Sequence, residues 1–414
     1  MKLLHSLKIL FPIFLLIFFS CKKADQELVP FANFSTLIIE FGEVTFRNKS
    51  FNATEYLWDF GDGNTSTEKD PIHSYLNIGN YNVTLTVSDG ITSDDFTLLV
   101  VIGQVFPQNL TQLQVPPFGN IVEAFSFTYN GKGYVGGGVI QLPFFEISPD
   151  LWEFDPMTKE WTKIINDLPQ NFRRSVGFVV DDNAYFGLGQ VNNYDFYKYN
   201  FLTNALDFDS SLPAPASEQG SLNRAVAFVH NDIPYVIGKG QNGNFNPDPN
   251  NENKKMWKYD IQINQWSEVG DYPCKGHSGM YHFLLGDKLY IGMGLNLLNF
   301  NNTNDFWEYD VTNNIWTSKK DFPGLGRTDG LSFTFNGEGY FGFGQGRNIN
   351  TGEQGSFSDL WKYNPADDSW EKIADFPVGS KHEVYAFVLG NSLYFGGGYG
   401  SDFQTRDSFF EYEF

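Results

Sequence analysis

The sequence predicts an all-β protein in two parts, a short domain of alternating strands followed by six copies of one strand-rich unit. Three observations predict it. Aromatic residues make up 17% of the 414 residues and glycine occurs 41 times, a composition suited to packed sheets and tight turns, with no long helical periodicity. From about Leu28 to Ile102, short alternating runs are separated by turn signals. Beyond them a tyrosine that runs into glycines recurs at Tyr134, Tyr185, Tyr235, Tyr290, Tyr340 and Tyr394, with spacings of 51, 50, 55, 50 and 54 residues.

Ahead of both parts lies an apolar run from Leu7 to Phe19, broken only by Lys8 and Pro12 and preceded by Lys2. It is too short to span a bilayer stably and reads as a signal-peptide core. The run ends in Phe18-Phe19-Ser20-Cys21, followed by Lys22 and Lys23. This resembles the lipobox of bacterial lipoproteins, with Phe18 where that family usually shows leucine. The resemblance implies a signal peptide over 1–20, a lipidated Cys21, an anchor linker over 21–27, and attachment to the cell envelope, with the outer membrane the expected place. A plain secretory signal with an incidental cysteine is the alternative. Cys274 is the one other cysteine, so acylation of Cys21 leaves no disulfide and stability must come from burial. The formal charge of −21, with no strong cluster of Lys and Arg, argues against a nucleic acid or other polyanion as partner.

The domain over 28–102 is centred on Tyr56-Leu57-Trp58-Asp59-Phe60-Gly61-Asp62-Gly63, followed by Pro71, His73, Tyr75, Gly79, Tyr81 and the run Val83-Thr84-Leu85-Thr86-Val87. Trp58 and Phe60 stand two apart, so a strand points both at one face, and Gly61-Asp62-Gly63 supplies a turn. The segment resembles a PKD domain, which implies an immunoglobulin-like β-sandwich. Asp59 and Asp62 read as turn-forming residues, with cation ligation as the alternative.

The six units over 103–414 carry further marks in register. An aromatic-x-aromatic pair follows each tyrosine: Trp152/Phe154, Tyr197/Tyr199, Trp257/Tyr259, Trp307/Tyr309, Trp361/Tyr363 and Phe410/Tyr412. Nine residues past the first member stand Trp161, Leu206, Trp266, Trp316 and Trp370, each with a proline seven or eight residues on. The sixth unit stops at Phe414 before any such outer strand, which would leave an open sheet edge. The segment 110–117 repeats the seven-residue separation of Trp370 and Pro377 in Leu110 and Pro117, so it is expected to fill that edge. Together these marks resemble the kelch-repeat, galactose-oxidase-like proteins. The resemblance implies a six-bladed β-propeller closed by an N-terminal strand, with ligands bound where the loops leading into the inner strands meet those joining second and third strands.

Four residues before the aligned phenylalanines Phe127, Phe178, Phe228, Phe283, Phe333 and Phe387 stand Glu123, Arg174, Arg224, Gly279, Asp329 and Glu383. Five of the six are charged in a chain only 19% charged, and Arg173, His277, Arg327, Lys381 and His382 flank them. Convergent charges at a channel mouth mark a candidate site. Struts between neighbouring units are the competing reading. Under the site reading, Arg174 and Arg224 grip an acidic ligand, and losing either weakens binding while melting stays nearly unchanged. The insertions after the glycines run long in the first, third and fifth units. They include Phe144, Phe145, Phe245 and the Asn-rich stretch 241–253, which read either as a sugar-binding rim or as plain surface loops.

No zinc, nucleophile-elbow or phosphate-loop pattern occurs, and Cys274 lacks an evident pair of His and Tyr partners for copper, so no cofactor or metal is expected. Two functions follow. One is a monomeric, lipid-anchored envelope protein that binds or scaffolds a glycan or protein at the propeller mouth through Glu123, Arg174, Arg224, His277, Arg327, Asp329, Lys381, His382 and Glu383. The other is a carbohydrate-processing enzyme resembling the sialic-acid mutarotases, with Glu123 or Glu383 as acid/base and Arg174 or Arg224 as the cation.

Overall fold

The computed structural model describes residues 29–40, 42–75, 77, 79–102, 109–141, 145–189, 194–213, 220–239, 241–242, 254–348, 352–400 and 408–414. The expected signal core, Cys21, the 21–27 linker, Phe144, Phe245 and nearly all of 241–253 lie outside the described residues. Every element described is a strand. The strands fall into two compact units, 1–103 and 104–414.

In the first unit, a three-stranded sheet (Phe34–Glu40, Glu43–Asn48, Ile72–Ser74) shares a core with a four-stranded one (Thr65–Ser66, Glu55–Asp59, Gly79–Ser88, Ser93–Ile102). Trp58 is fully buried, with its ring 4.9 Å from Phe34 and 5.3 Å from Phe46, and its indole N–H donates to the Glu68 carbonyl at 2.9 Å. The acids serve the turn after it. Asp59 accepts from the Gly61 N–H at 2.9 Å and Asp62 from the Asn64 N–H at 3.0 Å, while Gly61 sits at φ +76°.

The second unit contains six four-stranded antiparallel sheets in chain order. The first comprises Phe125–Tyr129, Lys132–Gly136, Leu151–Asp155 and Glu160–Ile165, and its pattern recurs. The recurring tyrosine-glycine mark is the second strand, buried over its last four residues in most units. A Cβ at Gly187 would run into the Asp195 carbonyl, and one at Gly292 into that of Asp305, so close strand approach selects glycine there. The third- and fourth-strand marks face each other across a hairpin: Phe154 opposite Trp161, Tyr199 opposite Leu206, Tyr259 opposite Trp266, Tyr309 opposite Trp316 and Tyr363 opposite Trp370. That register is why the spacing recurs.

The sixth sheet joins Lys381–Leu389, Ser392–Gly400 and Phe409–Glu413 to Leu110–Gln112. Leu110 lies opposite Tyr412, the place the equivalent tryptophans take elsewhere, although this strand is three residues long and does not extend over all of 110–117. The inner strands touch in succession from Phe125–Tyr129 to Lys381–Leu389, and those two also touch each other. Smaller sheets rise from alternate units: Ile121–Val122 with Val139–Gln141 and Phe145–Ile147, Gly220–Ser221 with Gln241–Asn242, and Gln345–Asn348 with Glu353–Ser356. The long insertions of the first and fifth units are thus β-hairpins as far as they are described.

Candidate functional site

The six aligned positions share one backbone conformation. Glu123, Arg174, Arg224, Gly279, Asp329 and Glu383 have φ of 60°, 54°, 56°, 62°, 61° and 59°. In five of the six, from Arg174 to Glu383, the N–H points away from its own sheet and toward the previous unit. The Arg174 N–H donates to the Glu123 carbonyl at 2.8 Å, Arg224 to Arg174 at 3.1 Å, Gly279 to Arg224 at 3.1 Å, Asp329 to Gly279 at 3.3 Å and Glu383 to Asp329 at 2.6 Å. The aligned residues therefore form a ladder that runs from sheet to sheet. Gly279 breaks the run of charge because a Cβ there would collide with Thr328 and Asp329.

Their side chains converge. Glu123 is gripped by Arg173, through Nε and through Nη2 at 2.9 Å, and by Arg174 Nη2 at 2.6 Å. Arg224 holds Glu383 through Nη2 and Asp329 through Nε at 3.0 Å, while Arg174 Nη2 stands 3.7 Å from Glu383 Oε1. Three carboxylates meet three guanidinium groups, so this floor is neutral in sum. Burial raises the Glu123 carboxyl, but the Arg173 hydrogen bond and the charges of Arg174, Arg173 and Arg224 outweigh it and hold it below the ordinary carboxylate range. Glu383 differs in one respect: its Oε2 is buried with no hydrogen-bond partner among the described residues, and Arg174 Nε is in the same state. Buried polar atoms of this kind are ordinarily satisfied by a water or a ligand.

Two residues with no signal in the repeat pattern join the floor. Tyr399 lies opposite His382, and its hydroxyl is raised by burial and by the charge of Glu123, against the nearby arginines. Gln345 Nε2 donates to Asp329 Oδ2 at 3.3 Å from the fifth-unit hairpin. Each is an ordinary strand residue in the sequence. Burial and the Arg224 charge push the His382 imidazole down against the pull of Asp329, which keeps it neutral at pH 7.

Three residues expected to contact ligand are built into the walls instead. Arg327 is buried, pairs with Asp359 through Nη1 at 2.5 Å and Nη2 at 3.3 Å, and has the rings of Phe357 and Phe322 within 3.8 and 4.7 Å of its guanidinium carbon. His277 accepts the Leu297 N–H at 3.0 Å on its Nδ1, bracing the fourth-unit loop. Lys381 donates to the Gly397 carbonyl at 3.2 Å and to Ser408 Oγ at 2.9 Å. Each of the three thus has polar atoms engaged within the protein, Arg327 by a carboxylate and the other two by backbone or hydroxyl groups.

Residues 36–98 match the PKD domain family, and the first unit is a PKD domain. A metalloprotease precursor of Vibrio cholerae serotype O1, PrtV, is 44% identical over 72 residues, 16% of this chain and 8% of that protein. The N-acetylneuraminate epimerase of Escherichia coli O157:H7 is 27% identical over 183 residues, 44% of each chain. The chain thus spans less than half the length of these relatives in the matched regions. The solved structure of YjhT superposes with a TM-score of 0.59 at 21% identity, covering 72% of this chain and 95% of that one. This likeness concerns the fold, and with the six sheets it bears out a kelch-like propeller.

Proposed function

We propose that the second unit is a closed six-bladed propeller that binds an acidic sugar of the N-acetylneuraminate class over its charged floor and interconverts the sugar's anomers. Closure is supported by the Leu110–Gln112 strand in the sixth sheet and by the contact between the first and sixth inner strands. The sugar class is supported by the similarity to N-acetylneuraminate epimerases. One observation carries the chemistry. Both Glu123 oxygens are occupied by arginines, whereas Glu383 Oε2 has no described partner, so Glu383 is the carboxylate able to accept a proton. Glu383 takes the proton of the anomeric hydroxyl, the ring carbon–oxygen bond breaks to leave a carbonyl, and the proton passes from the Glu383 carboxyl to the departing ring oxygen, which restores the carboxylate. Reclosure on the opposite face of the carbonyl reverses these transfers, with no net change in protons.

Exchange between N-acetylneuraminate anomers, followed by NMR, tests this. The intact protein should accelerate exchange, and Glu383→Gln should lose roughly 10²-fold or more of that acceleration while still binding the sugar. A protein that binds without accelerating exchange would be a capture module. One that does neither refutes the reading.

A further inference from the structure

We infer that Arg347, on the hairpin wall of the fifth unit, receives the ligand's carboxylate and selects acidic over neutral sugars. This rests on the acidic-sugar reading above and replaces the arginines of the floor in that role. Those arginines are already matched: Arg173 and Arg174 hold Glu123, and Arg224 holds Glu383 and Asp329. A carboxylate that took Arg224 would leave Asp329 without its cation, and one that shared Arg174 would sit beside Glu123 and Glu383, whose oxygens already stand 2.6 and 3.7 Å from Arg174 Nη2 and repel a third negative charge.

Arg347 is placed otherwise. It lies on Gln345–Asn348, which pairs with Glu353–Ser356. Gln345 reaches Asp329 from this strand, so its face of the hairpin looks onto the floor, and a side chain two residues on shares that face. The opposite face is taken up by packing, since a Cβ at Gly346 would meet the Gly326 carbonyl and Phe357. Two residues along a strand advance about 7 Å, which sets Arg347 above the floor by roughly the width of a sugar ring. Its backbone is fixed on both sides: the N–H donates to Asn302 Oδ1 at 2.8 Å and the carbonyl accepts the Asn302 N–H at 2.9 Å. The side chain is exposed, and among the described residues no carboxylate lies within 4.0 Å of it. A guanidinium on a fixed backbone, facing the site and without a described acidic partner, offers a two-pronged fit to a carboxylate.

Calorimetric titration with N-acetylneuraminate and its methyl ester decides the matter, since the ester keeps the sugar and removes the charge. Wild type should favour the acid. Arg347→Gln should bind the acid tenfold or more weakly, bind the ester within about twofold of wild type, and melt as wild type does. Arg347→Lys should restore part of the preference. A Gln variant that keeps the full preference for the acid overturns the assignment and returns the carboxylate to the floor. Wild-type protein that binds neither compound sinks the acidic-sugar reading, and the role of Arg347 falls with it.

Discussion

A residue at positive φ usually calls for glycine or asparagine, because a Cβ crowds the following carbonyl at a cost of about 1–2 kcal/mol. Five of the six ladder positions nevertheless carry Glu, Arg or Asp. The backbone role does not need those charges, so they belong to the floor. Counting back from aligned phenylalanines reached all six positions because the turn length before each inner strand is constant. Pairing was beyond that count: Arg224 reaches Glu383, 159 residues away, and only the assembled sheets bring them together. The pairing also revises the expectation that losing Arg224 leaves melting unchanged. Arg224→Ala would leave Asp329 without a guanidinium and Glu383 with only Arg174 at 3.7 Å, while keeping the Cβ at φ 56° that the ion pairs now offset. It should lose about 3 kcal/mol or more of stability, seen as a lower melting temperature, and Arg224→Gly should lose less. Near-wild-type melting of the Ala variant would mean the ion pairs contribute nothing to folding.

Among elements, the turn between third and fourth strands shows how one unit departs from the others. In four of them the buried tyrosine donates to a left-handed Asn or Asp five residues on: Tyr199 to Asn204, Tyr259 to Asn264, Tyr309 to Asn314 and Tyr363 to Asp368. The first unit has Phe154 and Lys159 instead. Lys159 keeps the left-handed φ of 61° but reaches the sixth sheet, donating to both Glu411 oxygens and to the Tyr394 hydroxyl at 2.8 Å. It thus links the first unit to the one completed by the N-terminal strand, in place of a local bond. The substitution was visible in the sequence, but its partner was not, because a repeat pattern shows what recurs and hides what crosses a seam. Lys159→Asn should restore the local pattern's residue type and cut the link. Because the amine is partly exposed, the loss should be modest, about 1 kcal/mol, measured by denaturant titration. A variant as stable as wild type would show that strand pairing alone holds the seam. The hairpins in the first and fifth units were also illegible: their apolar alternation is too short to separate from a turn-rich loop.

At the scale of the whole molecule, every residue of the proposed site lies in the second unit, while the PKD domain lies in the first. Catalysis and attachment should therefore separate. The proposal of an anchor rests on the apolar run that stops at Cys21, and a single acyl chain gives only marginal membrane binding, so firm attachment needs more than one chain on that residue. With a net charge of −21, the protein has little electrostatic attraction to an anionic membrane surface that could substitute for acylation. In a bacterial host, Cys21→Ser should accordingly move the protein from the membrane fraction to the soluble one and abolish palmitate labelling. The released protein should accelerate anomer exchange as well as the anchored form does, because neither the ladder nor the floor involves residues before Glu123. A labelled, membrane-bound Cys21→Ser variant would refute the anchor. Release accompanied by lost exchange, in protein that still melts cooperatively, would instead show that the site depends on attachment, contrary to the separation of the two units.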